Sequence, residues 1–171
     1  GSTSPNPMVG AVVASGGRIV GQGSHRKPGG PHAEVLALSQ AGARAKGGTL
    51  YVTLEPCSHL KKRTPPCVPL VIRSGVRRVV VAMVDPNPLV SGRGIAQLKE
   101  AGISVVVGCG EQEAVQLNEA YCHWIQTGRP FTILKAGMTL DGKIATAVGE
   151  SQWITDEAAR LHAHRLRAEV D

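Results

Sequence analysis

Apolar residues along the chain follow two periods, one typical of strands and one typical of helices. Short runs rich in valine and isoleucine predict five β-strands, at residues 9–14, 18–23, 49–54, 77–84 and 103–107. Segments with apolar residues three to four positions apart predict helices, at residues 32–45, 67–74, 94–101 and 111–126. Helices that alternate with short apolar strands indicate an α/β layered fold with a mixed sheet.

A second region begins after the break Thr127-Gly-Arg-Pro. Here the pattern predicts a strand at residues 131–136, a turn at residues 140–143 and a helix at residues 156–168. So short a region cannot form an independent hydrophobic core without help. We therefore predict two domains, residues 1–128 and residues 129–171, of which the second is the start of a domain whose remainder is absent.

Composition and charge narrow the class of protein. No apolar run approaches the length of a membrane span, and no secretory signal opens the chain, so we expect a cytoplasmic protein without membrane contact. The net charge of +6 favours an anionic partner such as a phosphorylated metabolite. Nucleic acid is not expected, because aromatic residues make up only 3% of the chain and none are interleaved with its basic residues. A homo-oligomer is left open.

The stretch "GGPHAEVLAL" places His32 and Glu34 two residues apart at the start of a predicted helix. Side chains at that spacing point to different sides of a helix, so the two residues would perform different tasks. Glu34 extends an apolar stripe and should therefore be buried; its neighbours on the stripe are Ala37, Leu38 and Ala41. Burial raises a carboxyl pKa, which suits a group that accepts and donates a proton near neutral pH.

A second stretch, "LEPCSHLKKRTPPC", contributes Cys57 and Cys67. Without an export signal the cysteines should be reduced, which favours metal binding over disulfides. Together with His32 they supply three ligands that suit one zinc ion and leave a fourth position for water, as in a catalytic site. Glu34 would then carry protons. His59 is a competing ligand, but the set of three is complete without it, so we assign it to the loop or pocket.

This arrangement matches the H-x-E…P-C part of the zinc deaminase signature, except that nine residues rather than two separate the cysteines. The chain resembles the bifunctional riboflavin-biosynthesis deaminase/reductase family. The stretches that carry the resemblance are "SPNPMVGAVV", "GSHRKPGGPHAEV", "LEPCSHLKKRTPPC", "DPNPLVSGRG", "LDGKIA" and "ESQWIT". The chain departs from the family pattern PCxHxGRTPPC between the two cysteines. Its loop there is one residue longer and lacks the glycine.

The resemblance implies a cytidine-deaminase-like three-layer α/β/α domain, followed by the start of a dihydrofolate-reductase-like domain. It implies hydrolytic deamination of 2,5-diamino-6-(5-phosphoribosylamino)pyrimidin-4(3H)-one, with zinc on His32, Cys57 and Cys67 and with Glu34 as the proton shuttle. Further residues are expected to bind the substrate of the deaminase: Asn6, His25, Arg63, Thr64, Asp85 and Asn87.

For the reductase, the resemblance implies that Gly137 and Trp153 contact NADPH, while Ser151 and Arg167 contact its substrate. Reduction of the ribosyl group is expected only in a full-length chain, because this sequence resembles a fragment that lacks the family's N-terminal helix and most of the reductase domain.

Two alternatives remain open. One is a zinc-dependent deaminase of a nucleotide or a tRNA base, which would share the metal chemistry and differ in the loop residues. The other is a structural zinc module without catalysis. That alternative requires a fourth protein ligand to close the site and leaves Glu34 without a task.

Overall fold

In this computed structural model, which describes residues 3–59, 64–168 and 170, the chain divides into two compact units. We call Thr3–Phe131 the N-terminal unit and Thr132–Asp171 the C-terminal unit. A compact unit is a geometric division and does not establish independent folding. The domain boundary at residue 128 therefore stays a prediction.

The N-terminal unit is built on a five-stranded sheet in the order β2-β1-β3-β4-β5. The strands are β1 (Gly10–Ser15), β2 (Arg18–Ser24), β3 (Thr49–Leu54), β4 (Arg78–Met83) and β5 (Ser104–Val107). Strand β1 runs antiparallel to both β2 and β3, whereas β3, β4 and β5 run parallel. The mixed sheet that the sequence predicts is confirmed.

Helices cover both faces of this sheet. They are α1 (Ala33–Ala41), α2 (Cys67–Arg73), α3 (Arg93–Glu100), α4 (Glu111–Leu117) and α5 (Glu119–Thr127). Buried residues of α1, α2 and α3 share one hydrophobic cluster with Val79 and Val81 of β4. On the opposite face, Ala114 of α4 shares a second cluster with Ala82, which follows Val81 in β4. Neighbouring residues of one strand thus serve the two faces, as the pleat requires.

Two glycines in β2 allow α1 to lie unusually close to the sheet. A Cβ atom at Gly21 would overlap the carbonyl oxygen of Ala37, and one at Gly23 would overlap the Cβ of Leu36. Because glycine lacks that atom, the backbone of α1 packs directly against the strand. This contact sets the distance between the sheet and the first turn of α1, where Glu34 lies.

Two predicted helices differ from the observed ones. The helix expected at residues 32–45 ends at Ala41, because Gly42 adopts a φ of 55°, and a 3-10 helix, Gly42–Ala45, follows. The single helix expected at residues 111–126 is wrong. Two helices meet at Asn118, whose side chain accepts a hydrogen bond from Met8 N (2.7 Å) and donates one to Met8 O (3.0 Å). Because this partner is 110 positions away along the chain, the sequence around Asn118 does not predict the break between the two helices.

The C-terminal unit contains the predicted helix, α6 (Glu157–Arg167), whose N-cap residue Asp156 accepts a hydrogen bond from the amide of Ala159. The strand predicted at residues 131–136 is wrong, and residues 132–168 and 170 contain no strand at all. An extended segment becomes a strand only when a neighbour satisfies its backbone groups. Across the described ranges, every helix is too short or too polar to cross a membrane.

Candidate metal centre and active site

Three potential metal ligands meet where three elements begin or end. His32 is the N-cap residue of α1, Cys57 follows β3, and Cys67 is the first residue of α2. Their ligand atoms all lie within 4.8 Å of one another. The imidazole Nδ1 of His32 lies 3.6 Å from Cys57 Sγ and 3.3 Å from Cys67 Sγ. The sequence-predicted ligand set is therefore brought together in space.

The donor set fits zinc in its chemistry as well as in its spacing. One imidazole and two thiols are ligands that zinc prefers, and both sulfurs face the same ring nitrogen. Cys57 is 9% exposed and Cys67 is 1% exposed, so bulk water has little access to the sulfurs. Three protein ligands leave one tetrahedral position free for water or substrate.

The other ring nitrogen of His32 is held by Thr64. The Thr64 hydroxyl Oγ1 lies 3.0 Å from His32 Nε2. If Nδ1 binds a metal ion, Nε2 carries the ring proton and donates it to the hydroxyl oxygen. Thr64 was predicted to contact substrate; the structure additionally places it as the group that orients the imidazole, a common arrangement around metal-binding histidines.

Glu34 lies in the first turn of α1 and is only 3% exposed, as its place on the apolar stripe predicts. Burial raises the pKa of the Glu34 carboxyl above its ordinary value, and the nearby Cys57 thiol, when ionised, raises that pKa further. A side-chain hydrogen bond links the carboxyl to Cys67. Glu34 thus places a buried, titratable carboxyl at the border of the ligand cluster.

A cavity of about 540 Å³ opens beside the cluster. Five of the six residues predicted to bind the deaminase substrate line it: Asn6, His25, Thr64, Asp85 and Asn87. The sixth, Arg63, lies outside the described residues. His32, Glu34 and Cys57 line the same cavity. Residues from distant parts of the sequence therefore share one space, although their roles toward a substrate stay predictions.

Two polar side chains on one wall of the cavity fix each other's orientation. His25 Nδ1 lies 3.1 Å from the carbonyl oxygen of Pro31, so this nitrogen carries the proton and donates it. The opposite nitrogen, Nε2, then accepts a hydrogen bond from Asn6 Nδ2 at 3.0 Å. The Asn6 amide oxygen is left to accept from a ligand, and the His25 ring lies edge-on to His32, with ring centroids 5.4 Å apart.

On another wall, Asp85 is buried and accepts two hydrogen bonds at Oδ1. The donors are the Tyr121 hydroxyl and the backbone amide of Asn87, both at 2.9 Å. Burial raises the pKa of the Asp85 carboxyl, while these hydrogen bonds act in the opposite direction. Burial and the Asp85 carboxylate also raise the pKa of Tyr121, so the phenol remains protonated and continues to donate.

His59 also lines the cavity, as a pocket residue rather than a member of the ligand cluster. Its Nδ1 atom is buried and has no hydrogen-bond partner within the described ranges. This agrees with its assignment to the loop or pocket.

The four residues predicted for the reductase lie in the C-terminal unit. Ser151 and Arg167 are exposed, Gly137 is half-buried, and Trp153 is 70% exposed. The guanidinium of Arg160 stacks on the Trp153 ring, with its carbon 4.3 Å from the ring centroid. Their roles toward NADPH or substrate stay predictions.

The sequence missed three buried or half-buried polar residues that shape the site. Tyr121 was assigned only to an apolar helix face, Asn118 was placed inside a continuous helix, and Glu55 was assigned to a loop. Each makes its contacts with backbone or with a residue far along the chain. The signal available was weak: a polar residue within an apolar pattern.

Comparison with known proteins finds matches for both ends of the chain. Residues 1–83 match the family described as the cytidine and deoxycytidylate deaminase zinc-binding region, and residues 130–171 match the RibD C-terminal domain. The first match contains His32, Glu34, Cys57 and Cys67. The second supports the predicted start of a dihydrofolate-reductase-like domain.

Several relatives match nearly the whole chain. "Riboflavin biosynthesis protein RibD" of Aquifex aeolicus is 59% identical over 170 residues, which are 99% of this chain and 48% of that protein. The structure of Acinetobacter baumannii RibD is 50% identical with a TM-score of 0.91, covering 98% of this chain and 47% of that one.

A third relative is a diaminohydroxyphosphoribosylaminopyrimidine deaminase/5-amino-6-(5-phosphoribosylamino)uracil reductase from Thermotoga maritima. It is 46% identical with a TM-score of 0.91, over 97% of this chain and 48% of that one. The chain thus spans about half the length of the curated relatives it matches. The predicted cytidine-deaminase-like fold with its mixed sheet is confirmed.

Proposed function

This chain belongs to the riboflavin-biosynthesis deaminase/reductase family, and on that premise we propose that its N-terminal unit is a zinc-dependent hydrolytic deaminase of a phosphorylated aminopyrimidine. One observation carries the proposal. The imidazole of His32 and the thiols of Cys57 and Cys67 form a three-ligand cluster beside the buried carboxyl of Glu34. A purely structural zinc site would need a fourth ligand and would have no use for that carboxyl.

His32, Cys57 and Cys67 would hold the metal, which would supply the Lewis acidity that makes water a nucleophile near neutral pH. Hydrolytic deamination adds water to the amino-bearing ring carbon and breaks the carbon–nitrogen bond, so ammonia leaves. One proton must be taken from the attacking water and one delivered to the departing amine. Glu34 borders the ligands and has a raised pKa, so its carboxyl can accept the first proton and donate the second.

The proposed substrate is 2,5-diamino-6-(5-phosphoribosylamino)pyrimidin-4(3H)-one. A cavity of about 540 Å³ lies within the range typical of small-molecule sites. Asp85 and Asn6 line it and carry oxygen acceptors, which suit the amino and ring N–H groups of an aminopyrimidine. A phosphate contact by Arg63 is proposed from the sequence alone, because a guanidinium matches phosphate geometry.

We further propose that a longer protein with a complete second domain reduces the ribosyl group of the deaminated product with NADPH. Gly137 and Trp153 would contact the cofactor, and Ser151 and Arg167 the substrate. The match of residues 130–171 to the RibD C-terminal domain supports this assignment. We also propose that the protein acts in the cytoplasm and has no nucleic-acid partner.

The test is ammonia release from zinc-loaded protein incubated with a panel of substrates. The panel contains the proposed phosphorylated aminopyrimidine, its dephosphorylated analogue, and deoxycytidylate. Release that is fastest from the phosphorylated aminopyrimidine supports the proposal. Preference for deoxycytidylate would favour a nucleotide deaminase, and no release from any member by zinc-replete protein would favour a structural zinc module.

A further inference from the structure

Glu55 is a buried carboxylate that the deaminase chemistry described above does not use. It follows β3 directly, two residues before the metal ligand Cys57, and is 3% exposed. Four backbone amides donate hydrogen bonds to it. Oε1 accepts from Gly94 (2.9 Å) and Ile95 (3.1 Å), and Oε2 accepts from Gly92 (2.8 Å) and Asp85 (3.3 Å).

These four amides belong to the segment that connects β4 to α3 and to the first turn of that helix. Gly92 is the N-cap residue of α3, and Gly94 and Ile95 lie in its first turn, where backbone amides have no partner within the helix. A carboxylate at this end of a helix satisfies the amides and interacts favourably with the helix dipole. Glu55 therefore ties both ends of the 85–95 segment to the end of β3.

The same segment carries two of the cavity residues. Asp85 is tied to Glu55 through its amide, and its own Oδ1 accepts from the amide of Asn87. The Asn87 side chain in turn accepts from the amide of Leu89 at 3.0 Å. The positions of both cavity side chains thus depend on a chain of hydrogen bonds that begins at Glu55.

Gly94 shows how closely α3 approaches this carboxylate. A Cβ atom at this position would overlap the carbonyl oxygen of Pro56 and would lie 3.2 Å from Glu55 Oε1. Because no larger residue fits, the beginning of α3 lies directly against the Glu55-Pro56 backbone. This contact offers a second, independent way to disturb the same arrangement.

We propose that Glu55 is a positioning residue for substrate binding: its carboxylate holds the 85–95 segment so that Asp85 and Asn87 face the cavity beside the metal ligands. The proposal rests on the deaminase function proposed above. A positioning role differs from a general stabilising role in what a substitution changes. Loss of the Glu55 carboxylate should weaken substrate binding more than it changes zinc binding or proton transfer by Glu34.

The test compares steady-state kinetics and zinc content of zinc-loaded wild-type protein with Glu55→Gln and Gly94→Ala. The glutamine retains one acceptor oxygen and turns an NH2 group toward two amide donors, so the segment loses its anchor. We expect KM for the phosphorylated aminopyrimidine to rise at least tenfold in both variants, with a smaller change in kcat and with one zinc per chain retained.

A matched control separates positioning from loss of stability. Val13→Ala removes buried volume from β1, away from the 85–95 segment, and should lower stability while leaving KM unchanged. Unchanged KM in a folded Glu55→Gln protein would overturn the proposal, as would a KM rise no larger than that of Val13→Ala. Wild-type protein that releases no ammonia would instead count against the proposed function itself.

Hydrogen exchange gives a readout that does not depend on catalysis. The amides of Asp85, Gly92, Gly94 and Ile95 should exchange far more slowly than in an unstructured peptide. In Glu55→Gln they should exchange at least tenfold faster than in wild type. Exchange of these four amides in wild-type protein at unstructured rates would overturn the proposal.

Discussion

Both units of this chain contain a stretch that matches a known family, and they differ sharply in how they place functional residues. In the N-terminal unit, a five-stranded sheet covered by helices brings residues from widely separated segments around one cavity. The C-terminal unit has one helix in its described part and no strand. Apolar side chains that a packed core would cover are exposed there: Leu134, Leu140, Val148 and Trp153.

This difference shows what a motif can and cannot predict. A motif identifies residue types suited to a reaction, but packing decides whether those residues meet. His32 and Cys67 are 35 positions apart, and their side chains meet because α1 and α2 pack on the same face of the sheet. For Ser151 and Trp153 the described residues provide no comparable sheet, so a sequence match alone does not bring these side chains together.

The largest expected effect comes from removing a metal ligand of the N-terminal unit. Cys67→Ser should reduce zinc from one ion per chain to a small fraction and abolish deamination, because the cluster retains only two ligands. Elemental analysis of dialysed protein measures the loss. Cys109→Ser, at an exposed cysteine, is the matched control. Full zinc content in Cys67→Ser would remove Cys67 from the metal site.

The second prediction concerns proton transfer. Glu34→Gln keeps the size of the side chain but removes the titrating carboxyl, so the rate of ammonia release should fall by about 10² to 10⁴-fold. Zinc content should remain at one ion per chain. Glu100→Gln, an exposed position on α3, should leave the rate unchanged. A zinc-replete Glu34→Gln protein with wild-type turnover would show that another group transfers the proton.

The third prediction concerns the imidazole of His32. Thr64→Val replaces the hydroxyl that accepts from Nε2 with a methyl group of similar size, so the ring loses its orienting partner. Zinc affinity, measured by competition with a chelator, should fall by about 10 to 100-fold. Thr64→Ser retains the hydroxyl and should restore most of that affinity. Equal affinities of the valine and wild-type proteins would contradict the role of Thr64.

The smallest expected effect concerns stability at Asp85. Because burial raises the folded pKa above its ordinary value of 3.8, the stability that protonated Asp85 contributes is full below that value and is lost as pH rises through the folded pKa. Asparagine does not titrate and can still accept from Tyr121. Zinc-loaded Asp85→Asn should therefore gain on the order of 1 kcal/mol in free energy of unfolding over wild type as pH rises to neutrality.

Urea unfolding between acid and neutral pH measures this difference. Asp141→Asn, at an exposed turn, provides the control and should show no such gain. A gain at Asp85 that is constant across the pH range would show that the effect does not come from titration. A lower stability of Asp85→Asn at neutral pH would mean that the carboxylate is favoured by its surroundings.

Much of the site could be predicted from sequence because its chemistry depends on residue type and local position. The ligand set followed from an imidazole at a helix start and two cysteines around a proline-rich loop, and the burial of Glu34 followed from the apolar stripe on α1. The strand β3 was predicted with its observed bounds, because a short run rich in β-branched residues favours a strand whatever its neighbours in the sequence.

What could not be predicted depends on backbone partners far along the chain. The four donors to Glu55 are backbone amides. Every residue except proline has such an amide, so residue types in the sequence do not predict these contacts. Asn118 breaks a helix through the backbone of Met8, and Tyr121 reaches Asp85 from α5. Such contacts exist only after the sheet and its helices have packed.

One measurement tests the contrast between the units directly. The 171-residue protein, loaded with zinc, is incubated with the phosphorylated aminopyrimidine and NADPH while ammonia and NADPH absorbance are followed in the same sample. The account predicts steady ammonia release with NADPH unchanged, because only the N-terminal unit assembles a site. Oxidation of NADPH that keeps pace with ammonia release, or no ammonia from protein with one zinc per chain, would contradict it.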